Sequence, residues 1–318
     1  MTRIACIGEC MIELSPAEER TLLLAYAGDV CNTAVSLARL SRGTGIDVQF
    51  VTRLGDERHS DAMLDEWRAE GLDTELVDRL AGRAPGLYLI ELDDEGERSF
   101  TYYRSESPAR DLFADDAHAR ALREGLDGAE WLFLSGITLS LLGERAHRRL
   151  LGTLDDLRAG GTRVALDTNF RPRGWPDAAT ARGRIGDVLA RCDLALPTLD
   201  DDRELFADGD LDACLSRLAE IGVPEIAVKL GADGTCVAFA GRTELVTAVP
   251  EVEVVDSTGA GDAFDAGYLH ARLLGRDPAA AARTGNELAA VVLGHRGAIA
   301  PEAAVLAAGS AWDGDGGS

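Results

Sequence analysis

From end to end the chain alternates short β-branched apolar runs with longer amphipathic ones, and few architectures accept that rhythm. Strand-type runs fall at residues 3–8, 48–53, 131–135, 163–167, 194–197 and 225–229. Between them, Val30, Ala34, Leu37 and Ala38 share one face of residues 29–40, and Leu150, Leu154 and Leu157 share one face of residues 145–159. Strands separated by crossover helices pair in parallel and carry helices on both faces. The expectation is a three-layer α/β/α fold with a mostly parallel central sheet. Ligands of such folds sit beyond the carboxyl ends of the strands. With no linker or internal repeat in 318 residues, one domain is expected over 1–311. Residues 312–318 read as a frayed tail.

Two stretches, residues 12–26 and 86–104, break the rhythm. Leu87-Tyr-Leu-Ile-Glu-Leu, a turn at Asp93-Asp-Glu-Gly-Glu and Arg98-Ser-Phe-Thr-Tyr-Tyr-Arg104 form a hairpin pattern. With no helix of their own, these strands are expected to make a small sheet that serves as a lid. Leu87, Leu89 and Tyr103 would turn apolar groups outward there. Exposed edges of that kind predict a homodimer or higher oligomer through the lid. A second hairpin is expected after Lys229.

Charge and composition exclude several classes. The net charge is −23, which opposes binding to nucleic acid and to anionic membranes. No apolar run reaches the length of a membrane span. The first residues, Met1-Thr-Arg-Ile-Ala-Cys-Ile-Gly, read as a buried strand rather than a signal peptide. Six scattered cysteines without Cys-x-x-Cys or clustered histidines fit reduced thiols in a cytoplasmic protein. Lys229 is the only lysine, so the other 31 of the 32 basic residues are arginines. The acidic surplus fits a salt-tolerant surface. An anionic ligand would need particular arginines to overcome it.

The chemistry is concentrated at Asp256-Ser-Thr-Gly259-Ala260-Gly261-Asp262-Ala-Phe264. A β-branched run leads into two glycines and an alanine, and an acid opens a helical pattern. Bare amides at a helix start bind anions, aided by the positive end of the helix dipole. An aspartate there would repel a phosphate unless a hydroxyl lies between them whose proton it accepts. The pattern therefore points to phosphoryl transfer, with Asp262 as base and residues 259–261 as the anion hole. Taken alone, those four residues also fit a tight turn with an acidic cap.

The longer string resembles the C-terminal signature of the ribokinase-like (PfkB) carbohydrate kinases. Lys229-Leu-Gly231-Ala-Asp-Gly234 is similar to that family's nucleotide loop, and no P-loop motif competes with it. Ala27-Gly28-Asp29-Val-Cys-Asn32 resembles its sugar-contacting motif, with Ala27 in place of a first glycine. Thr198-Leu-Asp-Asp201 stands where the family carries an Asn-x-x-Glu magnesium motif; both positions keep oxygen, and Asp201 would act through water. The resemblance implies ATP and Mg²⁺, and a monovalent cation near Asp256 and Thr258.

Within the family, five strings resemble the branch that phosphorylates the sugar acid 2-dehydro-3-deoxygluconate. They are Gly8-Glu-Cys-Met-Ile-Glu-Leu, Pro85-Gly-Leu-Tyr88, Gly96-Glu-Arg-Ser-Phe-Thr-Tyr102-Tyr-Arg104, Asn169-Phe-Arg171-Pro and Arg296-Gly-Ala. That likeness implies substrate contacts at Gly28, Asn32, Tyr88, Tyr102, Arg104 and Arg171. It implies nucleotide contacts at Asn169, Lys229, Gly231, Gly234 and Asn286. A carboxylate suits the fork of an arginine, whereas a neutral sugar has no need of one. A neutral-sugar kinase such as a fructokinase, and a sugar-acid sensor without turnover, are the alternatives.

Overall fold

The computed structural model describes residues 2–18, 20–92 and 98–314. The expected hairpin turn at 93–97 and residues 315–318 of the expected tail lie outside them. The strands are β1 (Thr2–Ile7), β2 (Met11–Glu18), β3 (Thr21–Ala27), β4 (Ile46–Leu54), β5 (Val77–Arg79), β6 (Leu87–Leu92), β7 (Arg98–Tyr103), β8 (Trp131–Ser135), β9 (Arg163–Asp167), β10 (Leu194–Ala195), β11 (Glu225–Lys229), β12 (Thr235–Phe239) and β13 (Arg242–Val246).

Nine of them form one sheet in the order β13-β12-β11-β10-β9-β8-β1-β4-β5. It is parallel except where β12 and β13 return as the hairpin expected after Lys229. The pleat divides each central strand between two cores. Ile4 and Cys6 of β1 and Trp131 and Phe133 of β8 face one side; Ala5, Ile7, Leu132 and Leu134 face the other. The first core is closed by helices that include Asp29–Leu40, Arg58–Glu70, Ala260–Leu273 and Pro278–Leu293. The second is closed by others, among them Asp116–Leu126, Glu144–Ala159, Ala178–Leu189 and Leu211–Ile221. This is the doubly covered sheet that continuous apolar strands require. β10 stops two residues short of the expected 194–197, because Pro197 has no N–H to give the ladder.

The remaining strands make the small sheet, β3-β2-β6-β7. It follows directly from β1 through residues 8–10 and has a core of its own in Met11, Ala27, Tyr88 and Ile90. Its outward apolar groups differ in part from those expected. Tyr103 is 61% exposed as expected, but Leu87 and Leu89 are half-buried, and Leu22, Leu23 and Leu24 of β3 are 50%, 60% and 49% exposed. Where a frayed tail was expected from residue 312, the helix Glu302–Gly314 continues, carried by an alanine-rich run. All six cysteines are free and buried. Among the described residues no helix is long and apolar enough to cross a membrane.

Candidate active site

The sequence of β9 ends in Asp167 and that of β11 in Lys229, so both side chains arrive at the carboxyl edge of the sheet. Lys229 Nζ donates to Asp167 Oδ2 at 2.9 Å and to Asp265 Oδ1 at 3.0 Å, and all three groups are buried. Burial alone would lower the lysine's pKa, but the two carboxylates outweigh it and raise the value, so the ammonium persists. The Lys229 side chain, expected as a nucleotide contact, is also the buried counter-ion of these two acids. It stands in the wall shared by two cavities, together with Thr198, Ser257 and Gly261.

The central cavity encloses about 470 Å³, and Asp262 lines it. Asp262 sits in the first turn of the helix Ala260–Leu273, whose N-cap Gly259 has φ 76°. A Cβ on Gly259 would stand 2.4 Å from the Ala298 carbonyl oxygen, so both conformation and space demand glycine. The opposing helix Asp29–Leu40 is fixed in the same way, since a Cβ on Gly28 would stand 2.2 Å from the Glu9 carbonyl oxygen. That close approach explains why Gly28, rather than Ala27, is the residue the turn cannot replace.

The two helix starts are tied together through the acid. Asn32 Nδ2 donates to Asp262 Oδ2 at 2.8 Å, and Thr33 Oγ1 donates to the Asp262 carbonyl at 3.1 Å. Burial, followed by the charge of Asp29, pushes the Asp262 carboxyl up to about 7, against the opposing hydrogen bond from Asn32; Asp167 adds to the rise and Lys229 opposes it. A carboxylate that exchanges its proton near neutrality and faces a cavity has the properties of a general base. The first amides of its helix have no intrahelical acceptors and point positive partial charge toward the same space.

Part of the cavity lining is aromatic and basic. Tyr88 donates to Glu13, and its ring lies 5.8 Å from that of Tyr102. The Arg104 guanidinium stands 5.8 Å from the Tyr102 centroid and pairs with buried Glu9, whose own carboxyl is raised by burial against that pairing. Arg171 Nη1 donates to Asp201 Oδ2 at 2.8 Å. Asp201, expected to hold a metal through water, thus has its carboxylate engaged by Arg171 and does not line the central cavity. Asn169 has φ 28° and donates to Asp29 Oδ2 at 3.0 Å. Expected as a nucleotide contact, it lines the central cavity.

Beyond Lys229 opens a second cavity of about 1130 Å³. Gly231 and Gly234 border it, and at Gly234, φ 99°, a Cβ would stand 2.1 Å from the Val246 carbonyl oxygen. Asn286 accepts from Thr235 Oγ1 at 2.8 Å and donates to the carbonyls of Val246 and Thr247, each at 3.2 Å. Its amide therefore fixes the β12–β13 hairpin as one wall. Leu245 and Val254, 56% and 62% exposed, give this cavity an apolar side. Asp256, the expected neighbour of a monovalent cation, accepts from the Thr258 and Gly297 amides at 2.9 and 2.7 Å.

The sequence profile of the pfkB family carbohydrate kinases matches residues 1–304. The chain belongs to that family. It is 41% identical over 301 residues to the 2-dehydro-3-deoxygluconokinase of Dickeya dadantii (strain 3937), covering 94% of this chain and 96% of the relative. With the 2-dehydro-3-deoxygluconokinase of Escherichia coli (strain K12) it shares 40% over 308 residues, covering 96% and 99%. An Escherichia coli fructokinase is 30% identical over 268 residues, covering 84% and 83%. Among solved structures, a PfkB protein from Polaromonas sp. JS666 superposes with a TM-score of 0.80 at 26% identity, covering 96% and 99%. A Vibrio cholerae O395 fructokinase, solved with fructose, ADP and calcium ion, gives 0.82 at 23%, covering 96% and 98%. At that identity the likeness is one of fold.

Four acids that shape the site of this family member were not singled out by the sequence: Glu9, Asp29, Asp167 and Asp265. Each lies within or beside a string that was, as in Gly8-Glu9, Gly28-Asp29, Asp167-Thr-Asn169 and Asp262-Ala-Phe-Asp265. Adjacency to a glycine for Glu9 and Asp29, a strand end for Asp167, and the i,i+3 spacing from Asp262 for Asp265 were the available signals.

Proposed function

We propose that this kinase transfers the γ-phosphoryl group of ATP to the C6 hydroxyl of 2-dehydro-3-deoxy-D-gluconate, giving 2-dehydro-3-deoxy-6-phosphogluconate and ADP. Relatives of that activity by name match nearly the whole chain. The observation that carries the reading is the lining of the central cavity, which holds the poised acid Asp262 together with Arg104 and Arg171. An anionic acceptor lies in such a field in one sense only, with its carboxylate toward the arginines and its terminal hydroxyl toward Asp262. Asp262 takes the hydroxyl proton while that oxygen attacks the γ-phosphorus, and the bond to the bridging β–γ oxygen breaks in line. The amides of residues 259–261 stabilise the charge on the transferred group. Lys229 holds Asp167 and Asp265 in place and tempers the negative field around Asp262.

ATP would occupy the larger cavity, with its base on the apolar side and its phosphates toward Gly261. The Thr198 hydroxyl borders both cavities and suits a hard cation that prefers oxygen and keeps its waters. When bound, Mg²⁺ supplies neutralisation of phosphate charge. A monovalent cation beside Asp256 and Thr258 belongs to the same proposal, tested by replacing K⁺ with Na⁺ in the assay. The need for ATP assigns the reaction to the cytoplasm.

One observation favours a neutral sugar instead: Arg104 and Arg171 each already face an internal carboxylate, so a sugar without charge would leave neither unbalanced. A coupled ADP-release assay over sugars and sugar acids separates the readings. Preference for 2-dehydro-3-deoxygluconate supports the proposal and preference for fructose defeats it. Binding with no ADP released would identify a sensor. For assembly, the three exposed leucines of β3 support a homodimer or higher oligomer through the lid. Leu23→Glu should then lower the mass seen by light scattering, and a wild type already monomeric at micromolar concentration would refute it.

A further inference from the structure

Next to the central cavity, on the side away from Asp262, lies a third space of about 800 Å³. Arg83, Arg104, Arg110, Arg171 and Arg173 all line it, and Glu106 is the only acid among its lining residues. For a chain with a net charge of −23 that is a pronounced local reversal. It is joined to the central cavity, because Tyr102, Arg104, Ile137 and Arg171 line both.

The five arginines are not equivalent. Arg83 pairs with Asp111 at 3.0 Å, Arg104 with Glu9 and Arg171 with Asp201. Among the described residues Arg173 reaches the Phe100 carbonyl, at 3.5 Å, and neither it nor Arg110 pairs with an acid. Both of these are exposed. They line a space that adjoins the central cavity.

We propose that this arginine-lined cavity is a capture vestibule, in which Arg110 and Arg173 draw an anionic acceptor from solvent and pass it to the central cavity. The inference rests on the acceptor being a sugar acid. A protein with this net charge repels that substrate at long range, and a local positive mouth offsets the repulsion where entry occurs. Arg110 and Arg173 are specificity determinants for anionic over neutral acceptors, without touching the reacting atoms.

The test uses the full chain carrying Arg110→Gln and Arg173→Gln, beside wild type and the charge-retaining Arg110→Lys, Arg173→Lys pair. At an ionic strength of roughly 20 mM, kcat/KM for 2-dehydro-3-deoxygluconate should fall about tenfold in the glutamine variant. At roughly 0.5 M the gap should close to within about twofold, because salt screens exposed charges. kcat and the KM for ATP should stay near wild type, and the lysine variant should recover the loss. Equal kcat/KM at low salt overturns the vestibule, as does a loss that persists at high salt or that lysine does not rescue. If wild type itself prefers a neutral sugar, the substrate reading falls and the vestibule with it. If wild type prefers the sugar acid and the glutamine variant is unaffected, only the vestibule falls.

Discussion

The helices Leu199–Phe206 and Ala260–Leu273 start alike in sequence, and the structure puts their acids to opposite uses. Each carries acid in its first turn, Asp200, Asp201 and Asp202 in one and Asp262 in the other. In the first, every inward carboxylate meets a cation. Asp201 accepts from Arg171, and fully buried Asp202 accepts from Arg217 at 2.5 Å and from Thr168 at 2.7 Å. In the second, the nearest donor is the neutral amide of Asn32. Burial raises the carboxyls of both helices, Asp201 in direction, Asp202 to about 6 and Asp262 to about 7. In the first helix guanidiniums oppose that rise and occupy the oxygens, whereas the neutral Asn32 amide orients Asp262, which lines a cavity. The first arrangement holds structure together and the second is available to chemistry.

The largest effect should come from removing the basic oxygen. Asp262→Asn keeps the shape and the amides of residues 259–261, so the melting temperature and the ATP affinity should hold. Turnover should fall by about 10²–10⁴-fold, the usual contribution of a general base. In the wild type the carboxyl, pushed up to about 7, must be deprotonated to act. kcat/KM should therefore be full above that value and decline as pH falls through it. A flat profile from pH 5 to 8, or near-normal turnover in the asparagine variant, would return Asp262 to the same structural role as Asp201.

A smaller effect is expected at the basic part of the cavity lining. Arg171→Leu removes a charged donor from the acceptor and leaves Asp201 without its partner. Loss of a hydrogen bond to a charged group costs roughly 1.5–3 kcal/mol, so kcat/KM for the sugar acid should drop about ten- to over a hundredfold. The KM for ATP should move little, because Arg171 does not line the larger cavity. Parallel losses of sugar-acid and ATP affinity would show that Arg171 supports the fold rather than the acceptor.

Much of this was legible because it is local in sequence. The 3.6-residue period of 29–40 became the helix Asp29–Leu40, and Gly259-Ala-Gly261-Asp262 became an acid at a helix start beside a cavity. What could not be read is pairing at a distance. Asp29 and Asn169 are 140 positions apart, and Lys229 and Asp167 are 62 apart. No spacing rule connects Arg171 with Asp201, so the ion pair at the position of the metal motif was not foreseen. The leucines of β3 were overlooked for a related reason. Which face of a half-polar strand is outward depends on the register of the whole small sheet, and a shift of one residue reverses it.

The smallest effect should decide between the two roles open to Asp201. If its task is to hold Arg171, Asp201→Asn retains a hydrogen-bond acceptor and loses only the ionic part of a half-exposed pair. Such pairs contribute about 0.2–1 kcal/mol, so the KM for the sugar acid should rise no more than about fivefold. The Mg²⁺ concentration that gives half-maximal rate should not change, because the carboxylate spends its charge on Arg171 at 2.8 Å. If Asp201 is a water-mediated metal ligand instead, the order is reversed: the Mg²⁺ requirement rises sharply and the KM for the sugar acid holds. Titrating both ligands against one variant therefore tests whether the helix Leu199–Phe206 serves the acceptor through an arginine or the nucleotide through a cation.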